Sequence, residues 1–403
     1  MIGFSLLIKR AFWGGVLAAP AGFLIAAGFS ATAGLSFIGI GGFIALFGIG
    51  RSALVSGGSL VGVALLLGAI SLLPDPFYRP HERFALDDRY PPHIDATMDM
   101  AFGDLIAIGG PDFTHAAEPR IVHFQTDAAG FRNNRGLAAD DVIIIGDSFV
   151  AGHSGDQKDL LAGKLSSALG QPVYAYGFPG DFAAYARRLK KLGRPAWIFA
   201  FEGNDFVDTC SVDSSARPLS KTWATDLRRA VPIFAISRSY TIRARTHFRS
   251  LVKSIRNPER PPPPSPVREL KIGDQSVLVF GSYDDSTQRT TYRLPECAYE
   301  SLQAVAPLVK GIFFIPTKSR LYDGLFDGTT PLPLPHANWQ ALVDVGAAVD
   351  VPVHDLTSAM RAEALNAYAR DGSMLFWRDD THWNGKGAKA AAIAAARIIK
   401  GAP

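Results

Sequence analysis

Cysteine is scarce in this chain. Cys210 and Cys297 are the only two among 403 residues, and neither has histidine or cysteine neighbours at ligand spacing, so no zinc site is read. No other metal or cofactor motif is read either. Charge is also missing, but only locally. From Ala11 to Gly50 there is no charged residue, twice the roughly 20 apolar positions that one bilayer crossing needs. Arg51 interrupts, and Ala53 to Leu73 is again uncharged. A cleavable signal peptide is excluded by length, since its apolar region runs only about 7 to 15 residues. The expectation is three transmembrane helices within residues 1–75. Lys9, Arg10 and Arg51 would then be cytoplasmic, and the loop near Ser30 carries no positive charge. Three crossings put the rest of the chain outside the cytosol, in the periplasm or exterior of a bacterial inner membrane. Nucleic acid is not an expected partner there.

Beyond the anchor the chain reads as two parts, the second with an insertion. Residues 76–135 are rich in Pro, His and Asp and read as an extended linker that packs onto the catalytic domain. Residues 136–403 read as that domain, of α/β class, with the insertion at about 211–295. Between Arg217 and Arg260 eleven Arg and Lys residues stand against Asp226 and Glu259. Such a run, interleaved with apolar residues, either rests on anionic headgroups, steers an acidic polysaccharide, or is a solvated surface. The cysteines flank this insertion, and either pair across it or remain two buried thiols.

The strand pattern Val142-Ile143-Ile144-Ile145 is that of a central parallel strand buried on both faces. It runs into Gly146-Asp147-Ser148, which places a serine Oγ at a strand end, where a helix begins and its N–H groups face a developing anion. Val173 to Tyr176, Ala196 to Phe201, Gln275 to Phe280, Gly311 to Ile315 and Val351 to Leu356 read as further strands. Gly387 to Ile399 reads as a helix. Lys318 and Arg320 follow a strand end, where α/β sheets place ligands, or are surface charges.

Near the end of the chain stands Asp379-Asp380-Thr381-His382-Trp383-Asn384. A serine hydroxyl needs a base, and a histidine base needs a carboxylate to fix its tautomer. His382 is therefore the candidate base, with Asp379 or Asp380 as its partner. Phe178-Pro179-Gly180-Asp181 and Glu202-Gly203-Asn204-Asp205 each follow a strand, and each offers donors for an oxyanion.

In this order the four motifs resemble the SGNH (GDSL-like) hydrolase superfamily, whose fold is a parallel sheet sandwiched by helices. The resemblance spans roughly Asp141 to Gly401. It implies that Ser148 is the nucleophile, with its own N–H in the oxyanion hole beside Gly180 and Asn204. It implies that His382 is the base and Asp379 its partner, with Asp380 as rival because some acetyltransferase relatives use Asp-x-His. The Gly-x-Ser-x-Gly elbow of α/β-hydrolases is absent, since Val150 stands two places after Ser148. His382-Trp383-Asn384 is similar, more narrowly, to SGNH-like domains of alginate O-acetyltransferase-type proteins. The segment His123 to Asn133 is similar to one that precedes Gly-Asp-Ser in bacterial envelope members. In the alginate proteins the Asp-x-His element precedes the serine, whereas here it comes after.

The expected function is a membrane-anchored serine O-acyltransferase, an O-acetyltransferase acting on an envelope or extracellular polysaccharide, with Trp383 as an aromatic platform beside the base. The alternatives are a membrane-tethered esterase or deacetylase of glycans or lipids, and a non-catalytic glycan-binding subunit. The transferase reading also requires a multi-span partner to deliver the acyl group.

Overall fold

The chain begins its described part with an antiparallel pair. In the computed structural model the described residues are 89–178, 180–206, 265–327, 332 and 336–401. The three expected membrane spans, Cys210, Pro179, the basic run 217–260 and Pro261–Pro264 lie outside them. Among the described residues no helix is long and apolar enough to cross a membrane.

Within the stretch read as a packing linker, β1 (Asp95–Met100) and β2 (Arg120–Gln125) pair antiparallel, with Asp95 opposite Gln125 and Met100 opposite Arg120. Burial alternates along β2: Arg120, Val122 and Phe124 point inward while Ile121 and His123 face out. That two-residue period is the signature of a half-buried strand. Helix α1 (Asp104–Gly109) and a 3₁₀ turn (Pro111–Ala116) connect the pair.

The core is a five-stranded sheet. Its strands are β3 (Val142–Gly146), β4 (Val173–Gly177), β5 (Ala196–Phe201), β8 (Val309–Ile315) and β9 (Val353–Asp355), in the order β4-β3-β5-β8-β9. Every pairing is parallel, as the long β-branched and aromatic runs predict. Alternate residues of each strand feed two separate cores. Ile144, Phe199, Phe201 and Phe313 pack on one face, beneath α3 (Leu161–Leu169), α9 (Thr357–Asp371) and α10 (Gly385–Ile399). Ile143, Ile145, Ile198 and Phe314 pack on the other, beneath α4 (Phe182–Leu192), α6 (Glu296–Gln303) and α8 (Ala337–Ala348). Helices on both faces of a parallel sheet make the α/β sandwich expected from the sequence. Each fully buried aliphatic or phenyl side chain in it contributes about 1.5 to 3 kcal/mol.

The end of the predicted insertion is also folded. It forms a hairpin of β6 (Val267–Ile272) and β7 (Gln275–Phe280), continued by α5 (Gly281–Thr287). Gly273 takes a φ of 55° in the hairpin turn, a region that L-residues with a Cβ avoid. Cys297, at the start of α6, is disulfide-bonded.

Candidate active site

The parallel order β4-β3-β5 puts a topological switch at β3, and ligands in such sheets bind outside the carboxyl ends of strands flanking that point. Ser148 stands there, opening the one-turn helix α2 (Ser148–Ala151) directly after β3. Two glycines let this turn press onto the sheet. A Cβ at Gly146 would lie 2.4 Å from the Val150 side chain, and one at Gly177 would lie 2.5 Å from the Ala151 nitrogen. Asp147 caps the turn, its Oδ1 accepting the Phe149 N–H at 2.9 Å. The Ser148 N–H, first in the helix, has no intrahelical acceptor.

His382 approaches from the loop between α9 and α10. A bridge between Phe376 and Trp383 closes that loop, and Asn384 caps α10 by accepting the N–H groups of Lys386 and Gly387. The imidazole lies against the serine's chain neighbours. The Phe149 ring is 5.1 Å from it, and the Asp147 charge acts on it. Its Nδ1 meets Asp380 Oδ1 at 2.6 Å, and the same oxygen accepts the His382 N–H at 3.0 Å. Among the described residues its buried Nε2 has no hydrogen-bond partner, and Ser148 reaches the imidazole only through its chain neighbours Asp147 and Phe149. Catalytic hydrogen bonds often tighten only when substrate binds.

Of the two carboxylates the sequence offered, Asp380 is the one hydrogen-bonded to the imidazole, and Asp379 is not. Asp379 lies in the turn itself and aims away from the imidazole. Its Oδ2 accepts the N–H groups of Gly103 at 2.7 Å and Glu118 at 2.9 Å, and its Oδ1 accepts Arg120 at 3.0 Å. The second oxygen of Asp380 is fully engaged elsewhere. It accepts Arg120 at 2.8 Å, the Ser154 hydroxyl at 2.6 Å and the Asp104 N–H at 3.1 Å, which leaves Oδ1 aimed at His382.

Burial favours a protonated Asp380, but the His382 charge and hydrogen bond, with Arg120 and Ser154, outweigh it and hold the carboxyl well below its ordinary value. Burial likewise favours neutral His382, but Asp380, Asp104 and Asp147 raise the imidazole above its ordinary value. A base must be neutral to act. The rate kcat/KM should accordingly rise with pH through a midpoint above about 6.5, measured as a pH–rate profile. The contribution of the raised imidazole to stability has the opposite sense: it is present at low pH and is lost as pH rises through the folded-state value.

The residues that hold this loop come from the upstream segment, and the sequence pattern did not reveal them. Asp104 accepts the N–H of Thr381 at 2.7 Å and its hydroxyl. Glu118 accepts the Arg378 N–H at 2.6 Å and Nε at 2.8 Å. Arg120 stacks over the Trp377 ring. The available signal was the alternation of β2, which turns Arg120 inward. A buried arginine demands a carboxylate.

The oxyanion candidates Gly180 and Asn204 stand after β4 and β5. The Asn204 amide donates to Asp147 Oδ2 at 3.1 Å, and its carbonyl accepts the Tyr283 hydroxyl from α5. The Tyr185 hydroxyl ties the Gly180 block to the Asn204 block, reaching Asp205 Oδ1 at 2.8 Å and Gly180 O at 3.3 Å. Tyr283 fixes the orientation of the amide, since its hydroxyl holds the carbonyl end and leaves the NH2 end on the side of Asp147. Replacing Asn204 with Ala should lower kcat about 10²- to 10³-fold. Tyr283→Phe should lower it about tenfold and have little further effect in the Asn204→Ala background, as a double-mutant cycle would read.

Three expectations change with the structure. Trp383 is 5% exposed and packs edge-on against Phe149, ring centroids 4.9 Å apart, so it is core rather than an open platform. Lys318 is buried, donating to Leu278 O at 2.8 Å and Arg378 O at 3.3 Å, and burial lowers its pKa to about 8. Arg320 is buried too, with both Glu202 oxygens 2.8 Å from its Nε. Neither is a surface charge. Asp104, Asp380 and His382 bring ligand-type atoms within 4.8 Å of one another. Asp380 and Asp104 also carry the hydrogen bonds described above.

A parallel α/β sandwich with a serine at the switch point and a histidine–carboxylate pair beside it defines an SGNH-like architecture. Residues 311–403 match the family model of the SGNH hydrolase-like domain, acetyltransferase AlgX. This match bears out the resemblance read from the motifs. No curated protein matches the chain. Among solved structures, a carbohydrate acetylesterase family member from Sinorhizobium meliloti is 13% identical, with 64% of this chain and 97% of that one covered and a TM-score of 0.25. A second crystal structure is 15% identical over 64% and 97%, with a TM-score of 0.29. At these values neither bears on function.

Proposed function

We propose that the chain is a serine O-acyltransferase, an O-acetyltransferase of an envelope or extracellular polysaccharide, anchored in a bacterial inner membrane with its site facing outward. The observation that carries this reading is the Asp380–His382 pair, 2.6 Å apart, whose outer nitrogen is buried and unpartnered beside the strand-end serine. An unsatisfied buried nitrogen is costly, and a proton acceptor for Ser148 accounts for it. The match of residues 311–403 to an acetyltransferase domain supports the acyl chemistry.

In the first step Ser148 Oγ gives its proton to His382 Nε2 and bonds to the acyl carbonyl carbon. The resulting oxyanion takes N–H groups of Ser148 and Gly180 and the Asn204 amide. The carbonyl re-forms, the bond to the donor's leaving oxygen breaks, and His382 returns the proton to that oxygen. In the second step a sugar hydroxyl gives its proton to Nε2 and attacks the acyl-serine; the bond from the acyl carbon to Ser148 Oγ breaks, and His382 returns the proton to that oxygen. A donor arriving from the cytosol requires a multi-span partner that carries the acyl group across.

The test is a time course of the full-length chain in detergent with p-nitrophenyl acetate, with and without a panel of oligosaccharides. Acetylated sugar that depends on Ser148 supports the transferase. Acetate release indifferent to every sugar supports the esterase. No Ser148-dependent turnover, with sugar binding retained, supports the glycan-binding subunit.

A further inference from the structure

We propose that Asp104 is a second carboxylate for His382, a positioning residue that shares with Asp380 the stabilisation of the imidazolium formed when Ser148 loses its proton. Its catalytic consequence rests on the acyl-transfer reading. Its effect on the imidazole does not.

The geometry is specific. Asp104 is buried at the start of α1, and its Oδ2 lies 3.6 Å from His382 Nδ1, on the side where Asp380 Oδ1 stands at 2.6 Å. Asp104 is held there by the Thr381 N–H and hydroxyl, and its own N–H binds Asp380 Oδ2. Asp104, Asp380 and Thr381 thus lock one another, and both carboxylates approach the same ring nitrogen. A carboxylate whose only task was to cap the loop would need no such approach to Nδ1. At that separation a buried negative charge acts on the imidazolium without a direct hydrogen bond.

The other groups around His382 are Asp147 from the β3–α2 loop, whose charge acts on the ring, and the His153 ring, 5.9 Å away. Behind Asp380 stand Arg120, Asp379 and Lys318. Arg120 is engaged by Asp379 and Asp380, and Lys318 by two carbonyls. Both cations are thus hydrogen-bonded to other acceptors, and Asp104 Oδ2 stands within ion-pair distance of the imidazole. By sequence Asp104 falls in a linker without motifs. The fold brings it to the site.

The test is a nitrogen-15 imidazole titration of the full-length chain, which needs no substrate, alongside the pH–rate profile. Asparagine at 104 keeps an acceptor for Thr381 and removes the charge. Asp104→Asn should lower the His382 midpoint by about one pH unit and lower kcat about tenfold with KM nearly unchanged. An unmoved midpoint in a folded variant overturns the proposal. Should Asp104→Asn not fold, Asp104→Ser, which also keeps an acceptor for Thr381 and removes the charge, is titrated instead. Its His382 midpoint should fall in the same way, and an unmoved midpoint overturns the proposal. An inactive enzyme with the shifted midpoint would refute acyl transfer and leave this inference standing.

Discussion

Alanine at position 148 should lower the rate of acyl transfer by about 10⁵- to 10⁶-fold, the scale of removing the nucleophile of a serine enzyme. Nothing else at the strand end can replace it. The neighbours Asp147 and Phe149 are committed, one to capping α2 and holding the Asn204 amide, the other to the core and the His382 ring. The fold should survive, because the cap and the Gly146 and Gly177 contacts do not involve the hydroxyl. Comparison of steady-state rates and thermal midpoints checks both parts. The residual rate, which comes from the oxyanion donors and binding alone, should stay above that of water.

The second large effect separates two adjacent aspartates. Asp380→Asn should lower kcat by about 10³-fold with little change in KM. An amide facing Nδ1 no longer stabilises the imidazolium and can select the wrong tautomer; such a change costs about 10⁴-fold where no second carboxylate helps. Asp379→Asn should lower kcat less than about tenfold and cost stability instead, about 1 to 2 kcal/mol, because Arg120 keeps Asp380 as its carboxylate and only the Asp379 hydrogen bonds are weakened. Measuring kcat and urea midpoints for both variants distinguishes them. A larger kcat loss at Asp379 would restore the Asp-x-x-His assignment.

That assignment shows where the sequence was legible and where it was not. The strands were legible because a parallel sheet buried on both faces needs unbroken runs of large apolar residues, and such runs stand out. Ala196–Phe201 matches the structure at both ends, as does Gln275–Phe280 in the antiparallel hairpin, while the last strand of the parallel sheet is shorter than read, at Val353–Asp355. The serine, the histidine and Asn204 were legible because each sits at a strand end or in a capped loop. The choice between Asp379 and Asp380 was not. Spacing along the chain does not say which way a side chain leaves a turn, and here the turn sends Asp379 to Arg120.

The supports of the site were hidden for a different reason. Asp104, Glu118 and Arg120 lie more than 250 residues in sequence from their partners in the 378–382 loop, and no local pattern announces a contact of that range. Two buried charges were left open in the sequence for the same reason. Lys318 and Arg320 look like surface residues until the carbonyls and the Glu202 carboxylate that receive them are in view. Tyr283 reaches Asn204 from the far end of an insertion whose signals in the sequence, its charge and one strand, did not point to the site. Trp383 was read as a platform because it neighbours the base, but the Phe376–Trp383 bridge turns it into the core.

The central claim is that Ser148 carries an acyl group during turnover, and trapping that adduct tests it most directly. The full-length chain, mixed briefly with p-nitrophenyl acetate, quenched in acid and digested, should yield one acetylated peptide, the one containing Ser148. The adduct should be missing from Ser148→Ala and should disappear on incubation with an accepting oligosaccharide. Acetate released at full rate with no adduct on Ser148, or an acetyl group found on another side chain, would contradict the account.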